Sequence, residues 1–599
     1  MPDPRAQFRV LYRNFLTCVV DLQFLPNPGD IQKLGIELMA GLSAFGLVIA
    51  IYEVPRYSFS GWPADRLAIA AWGDQEFMIA TTMTIAGLLA VLAWNSILPA
   101  RQDALCLGPL PVHTRTIGLA RVAAIASVLG MSAASLNVFT GISFPFVWVP
   151  PGGNLLRSLA AYWLTMAAAA IFIFCGLLAM QGVAALVLTH RLFLRISSAL
   201  QLACFFLILS VYFLKPPLAN PHALTAPANQ RWLVALPSYW FLGLFQELNG
   251  PTHAAFRPLA LRALWALCIV ALAAAAALGL AYRRSLRRLI EEPDITPSDR
   301  VRPLARVTTF VAARLVPEPL ERAILLFTAR TLARSREHRL LLAAYGGIGL
   351  AIAFAYARSY LYGYAGNPWN QANVPFIAGS VVVLFMAVIG ARAVFALPVA
   401  QPSSWVFRLT AVHQPASYFA AVRRSIFLLA AAPVWIGCAI LYLTVWPSRP
   451  ALQHLALLVA LGVLLVERAL YKFRKIPFAC SYLPGKANLH VRLYAFGVLF
   501  LFLADSGSRL EFWAMDSTIR FVTLFAVILA LAIWARRRTR EFADAPGNRI
   551  QFEDLPKADI FALDLRPDGT WLSDEAYAEA VESRPRRNWA RSGPSVKPE

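Results

Sequence analysis

Acidic side chains are scarce in this sequence. Only 33 Asp and Glu stand against 55 Lys and Arg in 599 residues, and charged residues of all kinds make up 15%. Soluble domains carry about 25% charged residues, so a string of water-soluble domains is excluded. The net charge of +22 would suit nucleic-acid binding if it formed one basic face. Here the basic residues sit between apolar runs, so the charge reads as membrane topology and no nucleic-acid partner is expected. Cysteine is also sparse. Cys18, Cys106, Cys175, Cys204, Cys268, Cys438 and Cys480 include no CxxC pair, so neither a zinc site nor a disulfide framework is expected. The phosphate-cradling G-x-x-x-x-G-K-[ST] loop is absent; its nearest fragment, Gly485-Lys486, has Cys480 where the first glycine would stand. No H-E-x-x-H or G-x-S-x-G occurs, and the eight His include no i,i+4 pair. This chain is therefore expected to be neither an enzyme nor a cofactor carrier. No cleavable signal peptide is expected, because the first apolar run begins only at Leu34.

Apolar residues make up 58% of the chain and gather into twelve long runs. The first six are Leu34–Tyr52, Phe77–Leu98, Ile117–Ile142, Leu155–Leu188, Ile196–Leu214 and Leu259–Tyr282. The second six are Leu340–Tyr362, Val374–Leu397, Ile426–Trp446, Leu452–Tyr471, Val491–Ala504 and Ile519–Trp534. A hydrocarbon core needs about 20 helical residues, and most of the runs supply them. The expected fold is an all-α integral membrane protein with about twelve transmembrane helices in two six-helix repeats.

Orientation follows from Lys and Arg. With the N-terminus inside, 43 of the 55 fall in inner segments and 11 in outer ones. Both termini are therefore expected in the cytoplasm, in an inner or plasma membrane. Trp62, Trp72, Trp148, Trp232, Trp240, Trp369 and Trp513 would form the outer aromatic belt. No ionisable side chain falls near the middle of a run. Glu37, Arg392, Glu467 and Arg468 lie toward inner ends and Arg358 toward an outer one. Asp65, Asp74, Glu76, Glu247, Asp505, Glu511 and Asp516 are read as solvated outer-loop residues.

The runs divide as six plus six: residues 1–290 form a first half, 291–339 a cytoplasmic linker, 340–535 a second half and 536–599 a hydrophilic tail. Each half opens with a surface helix. Phe8, Leu11, Tyr12, Phe15, Val19 and Leu22 recur at helical spacing before the first run, with Arg9 and Arg13 on another face. Leu320, Ile324, Phe327 and Thr331 do so before the seventh. The loops after the second run of each half also correspond. Leu98-Pro99-Ala100-Arg101-Gln102, Val112-His113 and Arg121 correspond to Leu397-Pro398-Val399-Ala400-Gln401, Val412-His413 and Arg423, with one residue of insertion. Internal duplication is common in transporters. The tail starts with the basic stop Arg536-Arg-Arg-Thr-Arg540, suited to anionic lipid heads. Two short strands are expected around Pro567-Asp-Gly569 and a short helix over Glu575–Glu582.

Pro111 suits a turn before a helix start, so a short helix from about Val112 would lie along the membrane face with His113 and Arg115 toward water. The loop Asp103-Ala-Leu-Cys-Leu-Gly-Pro-Leu-Pro-Val-His-Thr-Arg-Thr-Ile-Gly-Leu-Ala-Arg121 resembles the cytoplasmic loop of type-2 ABC exporter permeases, in which an acidic residue and a Leu-Pro-Val/Ile step precede a helix with a basic residue. The resemblance extends to the order of parts over residues 5–540. It implies that Leu107, Leu110, Pro111, Val112, His113, Arg115, Ile117 and Arg121 couple the chain to a separate soluble ATPase, present in two copies, which binds the ATP. Arg408, His413, Arg423 and Arg424 would meet the second copy, although Leu409-Thr-Ala-Val412 lacks the Leu-Pro step.

The resemblance also implies an external or re-entrant helix between the fifth and sixth spans. The exposed apolar stretch Trp232–Gly250, with Pro237, Trp240 and Phe241, is the candidate. Asn95, Asn137, Gln181 and Gln201 are candidates for lining a transport path; the plain alternative for each is a hydrogen bond between helices. Two rival functions stand beside an ATP-driven exporter. A secondary, ion-coupled transporter of six plus six helices would need ionisable groups at depth, and none is evident. A membrane-embedded lipid-processing enzyme would need an acidic or His cluster at one interface.

Overall fold

The computed structural model describes residues 4–20, 28–59, 61–97, 112–147, 154–250, 253–291, 316–363, 370–395, 415–471 and 489–544, with a few single positions between them. The expected strands and helix of the tail, residues 292–312 of the linker and the loop holding Arg408 and His413 lie outside the described residues. So do Pro111 and the belt residues Trp148 and Trp369. Every long element among the described residues is helical and none is a strand.

The first half begins with a surface helix, α1 (Pro4–Val20). Then come α2 (Pro28–Phe59), α3 (Ala64–Leu92), the short α4 (Trp94–Ile97), α5 (Thr114–Asn137) and α6 (Thr140–Val147). They are followed by α7 (Leu155–Val187) and α8 (His190–Leu214). A compact insertion holds α9 (Pro221–Thr225), α10 (Gln230–Ala235) and α11 (Pro237–Asn249), and α12 (Phe256–Glu291) closes the half. The second half comprises α13 (Pro319–Arg334), α14 (Arg336–Gly363), α15 (Val374–Phe395), α16 (Pro415–Ile426), α17 (Ala432–Val445), α18 (Ser448–Ala469), α19 (Leu489–Met515) and α20 (Thr518–Asp544).

Ten helices among the described residues are long and apolar enough to cross a bilayer. The two other expected spans, Ile196–Leu214 and Val491–Ala504, lie within α8 and α19. In α8 only Ala199–Leu214 is apolar, and α19 carries Asp505, Arg509 and Glu511 on its last turns. The outward faces are apolar: Trp265, Ile269 and Leu272 on α12 and Ile519 and Val522 on α20 are each more than half exposed. Surface of that kind suits lipid and not water. The chain is an all-α, multi-pass membrane protein.

Several helices run past their apolar windows. α3 starts at Ala64 instead of Phe77, so a segment expected to be loop is helical. The ninth expected span is α16 and α17 joined through a single π turn, Phe427–Ala431. Pro433 follows at once and has no N–H to donate, and a wider turn accommodates that missing bond.

In lipid, helices associate through close packing and interhelical hydrogen bonds, which favours small residues at contacts. The α14–α15 seam is built this way. A Cβ added at Gly390 would stand 2.6 Å from Tyr345 Cβ, one at Gly349 2.9 Å from Met386 Cβ, and one at Gly379 3.1 Å from Ala353 Cβ. α14 also joins the two halves: Gly347 fits under Phe205 of α8, with buried Ala351 one turn on.

Both surface helices are present. α1 buries Leu11 and Phe15 against Ile117, Ala120 and Ala124 of α5, leaving Arg9 and Arg13 exposed, as its apolar stripe predicts. α13 packs on α16, but its buried stripe is Glu321, Ile324, Leu325 and Thr328. The expected Leu320 and Phe327 are partly exposed. The stripe is rotated because Glu321 turns inward to pair with Arg424.

Candidate functional site

Glu76, expected in an outer loop, is among the most deeply buried charges of the first half. Glu76 on α3 is 6% exposed and accepts from Lys215, whose Nζ lies 2.7 Å from Oε1. Lys215 caps the C-terminus of α8, where a cation also meets the helix dipole favourably. Asp74, half a turn earlier, accepts from Arg56 of α2 at 2.9 and 3.1 Å and from the Tyr57 hydroxyl at 2.6 Å. Beside this pair Glu53 is only 2% exposed, and no described residue hydrogen-bonds its Oε2. Glu53 lies inside the apolar helix window Gly35–Phe59 and Asp74 inside Arg66–Leu92. The expectation that Asp74 and Glu76 lie in a solvated loop is thus overturned. The reason is the extra length of α2 and α3, which carries these residues into helix, and the stripe Trp72, Gln75, Glu76, Ile79 faces protein. That i, i+3, i+4, i+7 spacing is the signal that reveals the longer helix. Of the other acids, Asp516 is exposed as expected, whereas Asp505, expected in a loop, lies in α19 and pairs with Arg509 on an exposed face.

Below the charges lies an uncharged network. Asn137 of α5 donates to Thr82 Oγ1 of α3 at 2.9 Å and accepts from the Tyr162 hydroxyl of α7 at 2.8 Å. Thr140 of α6 meets the same hydroxyl at 2.9 Å. Gln181 donates to the Trp94 carbonyl at 2.9 Å and Gln201 to the Val91 carbonyl at 2.7 Å. α3 breaks after Leu92, and a helix end leaves carbonyls without intrahelical partners; the two glutamines satisfy them. Asn137, Gln181 and Gln201 therefore tie helices together and are at most 2% exposed. The side chain of Asn95 lies outside the described residues.

Of the stretch expected to be an external or re-entrant helix, α11 is buried, while Trp232 and Val234 on α10 are about half exposed. Pro237 starts α11, where its missing N–H is harmless. Phe241 is fully buried, and Trp240 donates to the Leu233 carbonyl at 2.8 Å. An added Cβ at Gly243 would stand 2.5 Å from Leu259 Cβ and 2.8 Å from the Phe256 carbonyl. α11 thus packs backbone-close to α12 and also against α3 and α7. Its burial comes from an apolar surface that continues around most of the helix. Trp72, expected in the interfacial belt, is likewise 5% exposed and packs edge-on to Phe256 at 4.8 Å.

The second half contains a chain of three buried polar groups. Ser380 Oγ on α15 lies 2.8 Å from His454 Nε2 on α18, and His454 Nδ1 lies 2.7 Å from Glu511 Oε1 on α19. None is more than 7% exposed. Sequence reading places Glu511 in a solvated loop and the His as scattered, so this grouping is a correction as well. The order Ser, His, acid resembles a nucleophile triad, but all three groups are buried between helices, and the Ser380 hydroxyl also meets the Ile377 carbonyl of its own helix at 2.7 Å. The arrangement ties α15, α18 and α19 together.

At the opposite helix ends lie the residues expected to meet an ATPase. Leu110 is 50% exposed. His113 and Arg115 are exposed, and His113 stands at the N-cap of α5. Leu107 and Val112 pack partly buried beside Phe15, and Ile117 is buried beneath α1. Among the described residues α5 runs unbroken from Thr114, so the helix expected from about Val112 is the start of α5. Arg121 is 7% exposed, its guanidinium stacked 4.6 Å from the Phe15 ring, so it holds α1 instead of facing a partner. In the second half Arg424 pairs with Glu321 and Arg423 Nε lies 3.7 Å from Glu467.

Comparison with protein-family models, curated proteins and solved structures finds no match to this chain.

The sequence-derived candidates thus separate into distinct places. Leu110, His113 and Arg115 form one exposed group, while Ile117 and Arg121 lie under α1. Asn137, Gln181, Gln201, Trp240 and Phe241 belong to the interior. Among the described residues no three His, Cys, Asp or Glu side chains come together as a metal site.

Proposed function

We propose that this chain is the membrane-spanning permease subunit of an ATP-driven ABC exporter, with both permease halves fused and two copies of a soluble ATPase supplied in trans. One observation supports this most. Each half sets an amphipathic helix against the start of its third long helix: α1 on α5 and α13 on α16. Beside the first of these, Leu110, His113 and Arg115 stand exposed on the loop that carries the family resemblance. An apolar anchor flanked by basic groups suits docking into a groove on a soluble partner. In this reading both termini and the linker are cytoplasmic, in an inner or plasma membrane, and the direction of transport is outward. The test is purification of the tagged chain from native membranes. An ATPase should accompany it, and vanadate should inhibit transport in proteoliposomes. Nucleotide turnover by the chain free of partners would count against the assignment.

A second reading, an ion-coupled transporter, is favoured by Glu53. A buried carboxylate with an unpartnered oxygen inside a membrane helix is a natural proton or cation carrier. The two readings separate cleanly. Transport abolished by an ionophore, insensitive to vanadate and lost in Glu53→Gln would favour the carrier.

A further inference from the structure

The inner end of the second half, as the Lys and Arg count orients it, contains a narrow pocket between α16, α18 and α20. It encloses about 270 Å³ of unfilled space, counting the part open to the outside. Phe419, Val422, Leu470, Phe473 and Phe542 give it an apolar wall, and Arg423 is its charged group. The Arg423 side chain is 11% exposed, and its Nη1 is buried with no hydrogen-bond partner. Its one close counter-charge, Glu467, sits at 3.7 Å, a loose ion pair.

The surroundings add positive charge. Arg536 and Arg540 of α20 act electrostatically on Arg423, and so do Glu467 and Glu321. Glu321 is already paired with Arg424. Four guanidinium groups therefore share two carboxylates beside an apolar pocket at the end of a membrane-spanning helix. A buried guanidinium donor without an acceptor costs free energy until an acceptor arrives, and guanidinium groups match phosphate oxygens well. Basic pockets between transmembrane helices at a membrane face bind anionic lipid head groups.

We propose that this pocket binds an anionic phospholipid, with the phosphate between Arg423 and the Arg536/Arg540 pair and an acyl chain against the Phe419, Phe473 and Phe542 wall. The occupant is a lipid and not a soluble phosphate, because the wall is aromatic and aliphatic and offers a free phosphate nothing. The geometry of α20 gives the site an internal control. Arg536 and Arg540 are one turn apart, i and i+4, flanking buried Thr539. Arg537 and Arg538 are exposed on the same turn, but only Arg536 and Arg540 are among the groups that act on Arg423; Arg538 lies against the Trp534 ring.

The experiment uses the full chain in detergent, with binding of phosphatidylglycerol and of phosphatidylcholine of the same acyl chains read by native mass spectrometry. Phosphatidylglycerol should bind about tenfold more tightly. The double variant R536Q/R540Q should lose most of that preference, whereas R537Q/R538Q, which removes equal charge, should keep it within about twofold. All four arginines are exposed, so both variants should fold, and an unchanged melting temperature checks this. Phe542→Ser should weaken binding of the lipid without changing the charge. Equal loss in the two double variants would mean a diffuse basic belt and overturn the site. Equal binding of the two lipids, or full competition by glycerol phosphate, would overturn it as well.

Discussion

Tyr162 on α7 and His454 on α18 stand on the fourth long helix of their respective halves, and both are fully buried. Tyr162 joins Asn137 and Thr140 in a network without charge, apart from which stand two ion pairs, Glu76–Lys215 and Asp74–Arg56, with Glu53 beside the second. His454 instead links a serine and a carboxylate in one line, so hydrogen bonding and charge share the same three helices. The difference teaches where each half is vulnerable. A single change in the first half removes one link among several. A single change at His454 disconnects α15, α18 and α19 together.

The largest expected effect breaks the first-half pairing. Lys215→Met leaves Glu76 buried without its partner, and loss of one member of a buried pair costs about 3–5 kcal/mol. The melting temperature in detergent should fall steeply. The double variant Glu76→Met/Lys215→Met should recover most of the loss, since apolar replacement of both partners is often neutral. A harmless single variant would show that the pair is solvated.

Next in size is the second-half line. Glu511→Ala and His454→Phe should each destabilise by about 1–3 kcal/mol, the cost of a buried group left unpaired. Combined, they should cost less than the sum of the two, because neighbours in one network are not additive. Strict additivity, measured by thermal unfolding, would dissolve the claim that His454 and Glu511 act as a unit.

The smallest effects sharpen the contrast. Asn137→Leu removes two interhelical hydrogen bonds and Ser380→Ala one, and such a bond in membrane proteins averages about 0.6 kcal/mol. Ser380→Ala should also leave any transport unchanged. A transport defect with normal stability would restore a functional role for that hydroxyl.

Much of this architecture was legible in the sequence. Apolar runs locate the helices because a bilayer fixes their length, and the spacing of Phe8, Leu11, Tyr12 and Phe15 locates α1 and its buried face. The charged interior was not legible. A hydropathy window treats Asp74 and Glu76 as the edge of a span, whereas Lys215 lies 139 residues further on and only folding brings it there. Glu321 was hidden for the same reason, since Arg424 is its distant partner. The α11 stretch misled in the opposite direction: a run of aromatic residues reads as exposed or interfacial, and the surrounding α3, α7 and α12 cover it. At the proposed docking loop the residue types were legible, but the division between exposed Leu110, His113 and Arg115 and buried Arg121 required the position of α1.

The most direct measurement of the central claim is stimulation of the co-purified ATPase by the intact chain and by Leu110→Glu. Leu110 is half exposed, so the substitution should leave insertion and thermal stability unchanged. The account predicts loss of ATPase stimulation and of ATPase retention, with Arg115→Glu weaker, as truncation of an anchor exceeds loss of a rim charge. Full stimulation in both variants, or no ATPase accompanying the wild-type chain, would contradict it.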